Sequence, residues 1–233
     1  MSKDNYKYYT YQLDMKVLNV LAIILFIVIM IVISLIGFDY GDIGKYNILW
    51  LIILMFAWLL LHEVLHGIGF GLFKEVDKSN IVFGMALEKG VFYCMCKQKI
   101  SKKVIFTSLL FPVTIIGIIT MIIGIIINNG LLVYLSMVNI VGSIGDIVMS
   151  IYFSKCGDDV IYLDLDDCTS FTVLSKRELD NIRVPGIKLY SSGLYDSKMV
   201  ACDRRRLVIS KESWIVLIII LGLILVNILG GVV

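Results

Sequence analysis

The chain has 233 residues, of which 59% are hydrophobic and 17% charged, with a formal net charge of +2 and a mean hydropathy of +0.91. A water-soluble core of this size cannot hide so much apolar surface, so the composition excludes an ordinary soluble domain and points to several membrane crossings. The near-neutral balance, with no basic–aromatic stripe, excludes nucleic acid as an expected partner.

Met1 to Lys16 is polar, mixed in charge and rich in tyrosine, and reads as a short N-terminal segment (1–16). The apolar run after it is too long for a signal h-region and lacks a small-x-small cleavage site, so it is expected to stay as a first span. Val17 to Gly37 carries no charge. At a rise of about 1.5 Å per residue it is long enough to cross once. A loop from Phe38 to Lys45 leads into a second span, Tyr46 to Phe73, whose tail reads Gly67-x-Gly69-x-Gly71. Without Cβ atoms those three positions are expected to let a neighbouring helix come close.

Lys74 to Lys103 breaks the pattern. Ile81 to Leu87 and Val91 to Cys96 are short β-branched and aromatic runs flanking Glu88-Lys89-Gly90, which predicts a hairpin over 80–97. Its free edge could pair with an extended peptide, or it could simply connect two spans. Val104 to Ile127 is a third span with Pro112 as a candidate kink. Asn128-Asn129-Gly130 predicts a tight turn, and Leu131 to Phe153 a fourth span containing Asn139 and Asp146. Residues 154–213 hold ten basic and ten acidic side chains, with strand-like pieces such as Val160 to Leu165. Trp214 to Val233 is an uncharged fifth span.

The expected fold class is therefore an all-α membrane protein of about five transmembrane helices. A cytoplasmic β-hairpin lies between spans two and three, and a small polar region precedes the last span. The four-span core covers 17–153, the polar region 154–213 and the last helix 214–233. Seven lysines between 74 and 103, and ten basic residues between Lys155 and Lys211, contrast with one lysine in the 38–45 loop. By the positive-inside rule the N-terminus, hairpin and polar region face the cytoplasm, in a multi-pass protein expected at the plasma membrane. Arg204-Arg205-Arg206 would sit near the anionic inner leaflet. The five cysteines show no C-x-x-C spacing, Cys94-x-Cys96 being too tight, and are expected to be reduced and non-catalytic.

The second span contains Leu61-His62-Glu63-Val64-Leu65-His66-Gly67, an HExxH motif holding both histidines of the chain. On a helix His62 and His66 project from one face, one turn apart, so two nitrogens can grip one metal ion with Glu63 beside it to deprotonate water. At membrane depth an unpaired ionisable side chain costs about 2.5 kcal/mol or more. Three of them together are better explained by a metal than by helix packing.

A catalytic zinc takes three protein ligands and leaves a fourth position open. Apart from Glu63, Asp146 is the only carboxylate within an apolar span. His66 precedes the inner end of its span by seven residues and Asp146 precedes Phe153 by seven, each about 10 Å of helical rise. Two spans thus place their polar groups at one level. Asn139 lies two turns up the face from Asp146, where it could contact a substrate backbone or bond a neighbouring helix. Gly142, Ser143 and Gly145 are expected to thin span four and admit span two.

The HEVLH span, the hairpin ending Tyr93-Cys94-Met95-Cys96, the "SKK…LLFP" entry to span three and the "NIVGSIGDIVMS" helix together resemble the putative zincin peptidase family, over roughly Leu61 to Ser150. That family is similar to the site-2 intramembrane metalloproteases. The resemblance implies a zinc metalloendopeptidase, a hydrolase carrying out intramembrane proteolysis. His62, His66 and Asp146 would be zinc ligands, Glu63 the catalytic base and Asn139 a substrate-binding residue, the substrate being a protein or peptide, such as a transmembrane segment. Gly142 stands where the site-2 pattern has proline, and Ile147 where it has glycine.

Other chemistries fit less well. One helix cannot supply both axial ligands of a haem, and a di-iron site needs a second E-x-x-H, which is missing. A non-proteolytic zinc-binding membrane protein or an ion transporter is the alternative reading. The lack of inverted repeats weighs against transport.

Overall fold

The computed structural model describes residues 6–40, 47–86, 91–164 and 170–196. The expected fifth span 214–233, the Arg204–Arg206 run and the Glu88-Lys89-Gly90 turn lie outside the described residues.

The element order is β1 (Lys7–Leu13), α1 (Met15–Leu35), α2 (Ile48–Gly71), β2 (Ile81–Ala86), β3 (Val91–Cys96), β4 (Ile100–Ser101), α3 (Lys102–Pro112), a π-helical stretch (Val113–Ile119), α4 (Thr120–Ile126), α5 (Gly130–Gly142), α6 (Ile144–Lys155), β5 (Ile161–Asp164), β6 (Ser170–Ser175) and β7 (Ile187–Leu194). Helix starts follow their caps: Asp14 accepts from Lys16 N and Val17 N, Asn47 from Leu49 N, and Asn129 from Leu132 N. The turn between α4 and α5 places Asn128 at φ 52°, a left-handed conformation asparagine tolerates.

Among the described residues, three helices are long and apolar enough to cross a membrane: Met15–Leu35, Ile48–Gly71 and Lys102–Ile126. Their bounds fall within two residues of the expected ones wherever both ends are described. Exposed Ile23, Ile27 and Ile31 on α1 are the apolar face such a helix turns to lipid.

The fourth apolar run is not one straight span. It breaks at Ser143 into α5 and α6, bent by 53°. Composition alone could not show this, because the run stays apolar across the break. Gly142 and Gly145 have open space where a Cβ would point, so they do not bring span two closer.

The all-α expectation also needs correcting. Among the described residues, five strands form an antiparallel sheet in the order β4-β5-β6-β1-β7. Strand β1, from the N-terminal segment, lies between β6 and β7. Alternate residues of β1, Tyr9 and Tyr11, are buried at 1% and 2% exposure, as a half-buried strand requires. They meet α6 through an aromatic cluster in which Tyr11 and Tyr152 centroids are 4.8 Å apart and Phe153 packs on Tyr162 and Phe171. The expected hairpin is present, with β2 paired to β3 from Ile81↔Cys96 to Ala86↔Val91.

Candidate metal centre

Helix α2 presents His62 and His66 on one face, both 7% exposed. Their Nε2 atoms are 3.0 Å apart. Asp146 comes from the first turn of α6, where the positive end of the helix dipole favours a carboxylate. Its Oδ2 lies 3.2 Å from His62 Nε2 and 3.5 Å from His66 Nε2. The level agreement expected between spans two and four is thus a contact. The bend at Ser143 sets its direction, since α6 leaves the line of α5 just before Asp146.

The remaining ring nitrogens fix what the Nε2 atoms offer. His62 Nδ1 is 2.8 Å from Asn139 Oδ1, and His66 Nδ1 is 2.9 Å from the main-chain oxygen of Ser108. Carbonyl oxygens only accept, so each Nδ1 carries the hydrogen and donates it. In neutral rings both Nε2 atoms then present lone pairs, facing each other and a carboxylate oxygen. Three lone-pair donors facing one point can share a cation.

The spacing suits zinc. Ligand atoms around a tetrahedral ion with bonds of about 2.0–2.1 Å stand roughly 3.3 Å apart, against edges of 3.0, 3.2 and 3.5 Å here. Glu63 is half-buried, with its carboxylate within 4.8 Å of both imidazole nitrogens, close enough to count as a donor on distance alone. Asp146 closes the triangle at shorter distances, which leaves Glu63 alongside it.

Asn139 is 7% exposed and engaged at both ends: Oδ1 accepts from His62, and Nδ2 lies 3.3 Å from the Pro112 oxygen. Ser108, fully buried, was not singled out in the sequence. Besides holding His66 Nδ1, it donates its hydroxyl to the His66 carbonyl at 2.9 Å. Gly69 permits this approach, because a Cβ there would sit 2.8 Å from Ser108 Cα. Gly67 instead faces Phe83 of the hairpin, and Gly71 faces open space. The glycine run therefore serves two different neighbours, and its third member serves neither.

The hairpin packs beside the motif: a Cβ on Gly67 would stand 3.5 Å from Cys94 Sγ and closer still to the Phe83 ring. Cys94, Cys96 and Cys156 are free thiols.

Residues 55–161 match the family described as "Putative zincin peptidase". The matched segment runs from α2 to the start of β5 and includes His62, Glu63, Ser108, Pro112, Asn139 and Asp146. The zincin family description points to a zinc metallopeptidase, and the His62–Glu63–His66 group can hold the ion it implies. Helix α1 and strands β1, β6 and β7 lie outside the match. No curated protein and no solved structure matches the chain.

Proposed function

We propose that the chain is an intramembrane zinc metalloprotease that hydrolyses a peptide bond of a membrane-embedded or membrane-proximal protein. The observation that carries this reading is the convergence of His62 Nε2, His66 Nε2 and Asp146 Oδ2 within 3.5 Å, with Glu63 adjacent.

His62, His66 and Asp146 hold the metal, with Nδ1 of each ring anchored so that Nε2 faces it. Zinc at this position supplies Lewis acidity, making water acidic near pH 7 and polarising a carbonyl. Glu63 takes the proton from the attacking water and returns it to the leaving amine nitrogen. A helical substrate must unwind before its peptide bond can be reached, and the edge of the hairpin packed beside the motif is placed to pair with the extended strand that results. Lysine-rich 74–103 and the polar region lie on the cytoplasmic side in this reading, so water enters from there.

The test is cleavage of a reconstituted transmembrane peptide library by the wild-type chain and by Glu63→Gln. The expected result is cleavage by the wild type, its loss in Glu63→Gln, and about one zinc per chain in both. Cleavage that survives the substitution would contradict the mechanism. Ion flux lost in place of cleavage would favour the transporter reading.

A further inference from the structure

We infer that Pro112 is a positioning residue for His66, acting through the hydrogen it lacks. The inference rests on reading His66 as a zinc ligand. In an α-helix each N–H donates to the carbonyl four residues earlier, so the helical partner of the Ser108 oxygen would be the N–H of residue 112. Proline has none. The next N–H along, that of Val113, turns to the Leu110 oxygen. Neither position 112 nor the Val113 N–H donates to the Ser108 carbonyl, which receives His66 Nδ1 at 2.9 Å.

The site is dry. Ser108 is fully buried, Pro112 is less than 2% exposed and His66 is 7% exposed, so a carbonyl released here has no solvent to turn to. The Ser108 oxygen has two lone pairs, so an N–H at position 112 would share it with His66 and draw it along its own helix axis. The contact that keeps the imidazole hydrogen on Nδ1 and its lone pair on Nε2 would then weaken. Metal-binding histidines depend on such an outer partner to fix tautomer and ring orientation.

His62 provides an internal control. It is held through Asn139, whose Nδ2 meets the Pro112 oxygen, and any residue at 112 keeps that oxygen. A substitution that only adds an N–H should disturb His66 and leave His62 alone. A proline that merely shaped the helix before the π-helical stretch would not discriminate between the two rings.

The experiment uses the full chain in micelles, metal-free and labelled with 15N-histidine. Because the chain has two histidines, the ring-nitrogen spectrum assigns readily. The wild type should show Nδ1 protonated and hydrogen-bonded in both rings. In Pro112→Ala the His66 nitrogens should move toward a tautomer mixture while His62 stays put. Zinc affinity by chelator competition should fall about 10- to 100-fold. Lactic acid at position 112, which has neither the ring nor the N–H, should restore the wild-type pattern and affinity. Wild-type His66 signals in Pro112→Ala, or a lactic acid chain that behaves like the alanine variant, would overturn the inference. If Pro112→Ala does not fold, the lactic acid chain decides by the same signals. A wild-type chain that binds no zinc would instead overturn the proposed function, and the ring signals would still report on Pro112.

Discussion

Asp146 Oδ2 lies 3.2 Å from His62 Nε2, joining the first turn of α6 to the middle of α2. The contact puts a carboxylate beside an imidazole nitrogen, an arrangement that a shared cation stabilises. Asp146→Ala should therefore lower zinc affinity by more than the 10- to 100-fold typical of an outer-partner loss, measured by chelator competition. Its fold should persist, because α6 remains anchored by Tyr152 and Phe153 against the sheet. Unchanged affinity would remove Asp146 from the ligand set.

Asn139 separates two roles that predict different kinetics. As the acceptor for His62 Nδ1, its replacement by alanine should weaken zinc binding about 10- to 100-fold. As a substrate contact, the same replacement would raise KM at full zinc occupancy. The buried carboxamide, bonded at both ends, favours the first outcome. Zinc titration followed by kinetics at saturating metal tells them apart.

Gly69 and Gly71 look alike in sequence and differ in surroundings. A Cβ at Gly69 would stand 2.8 Å from Ser108 Cα, whereas one at Gly71 meets nothing within 4 Å. Gly69→Ala should destabilise the chain by about 1–3 kcal/mol through forced separation of α2 and α3. Gly71→Ala should leave stability nearly unchanged. Denaturant titration in mixed micelles measures both.

The sheet should be sensitive to acid. A hydrogen bond from Lys188 at 2.6 Å, helped by the Val17 N–H, holds the Asp14 carboxyl below its usual range. Lys7 holds the Glu178 carboxyl low in the same way at 2.9 Å. A depressed folded pKa contributes stability that is present above the unfolded carboxylate value, about 4. That contribution is lost as pH falls through the lower folded value. The stability difference between the wild type and an Asp14→Asn, Glu178→Gln variant should hold from pH 7 to 5 and close toward pH 2. Thermal unfolding at each pH reads it, and a difference independent of pH would contradict this account.

The membrane helices and the motif were legible in the sequence because their signals are local. Long apolar runs give the spans, i and i+4 spacing gives the histidine pair, and a lone carboxylate in an apolar run stands out. The five-stranded sheet was not legible. Strand β1 pairs with β6 and β7 from the far end of the described chain, and neither partner's sequence names the other. The bend at Ser143 leaves no mark on composition, because the residues on either side stay apolar. The support for His66 was half legible: Pro112 is visible as a missing donor, but only the fold shows that the carbonyl it releases, on Ser108, faces an imidazole.

The most direct test of the central claim is X-ray absorption at the zinc K-edge of the purified chain. The account predicts a shell of nitrogen and oxygen only, at about 2.0–2.1 Å with two imidazole signatures, losing one imidazole in His66→Ala. A shell with sulfur at about 2.3 Å, or no bound zinc at all, would contradict it.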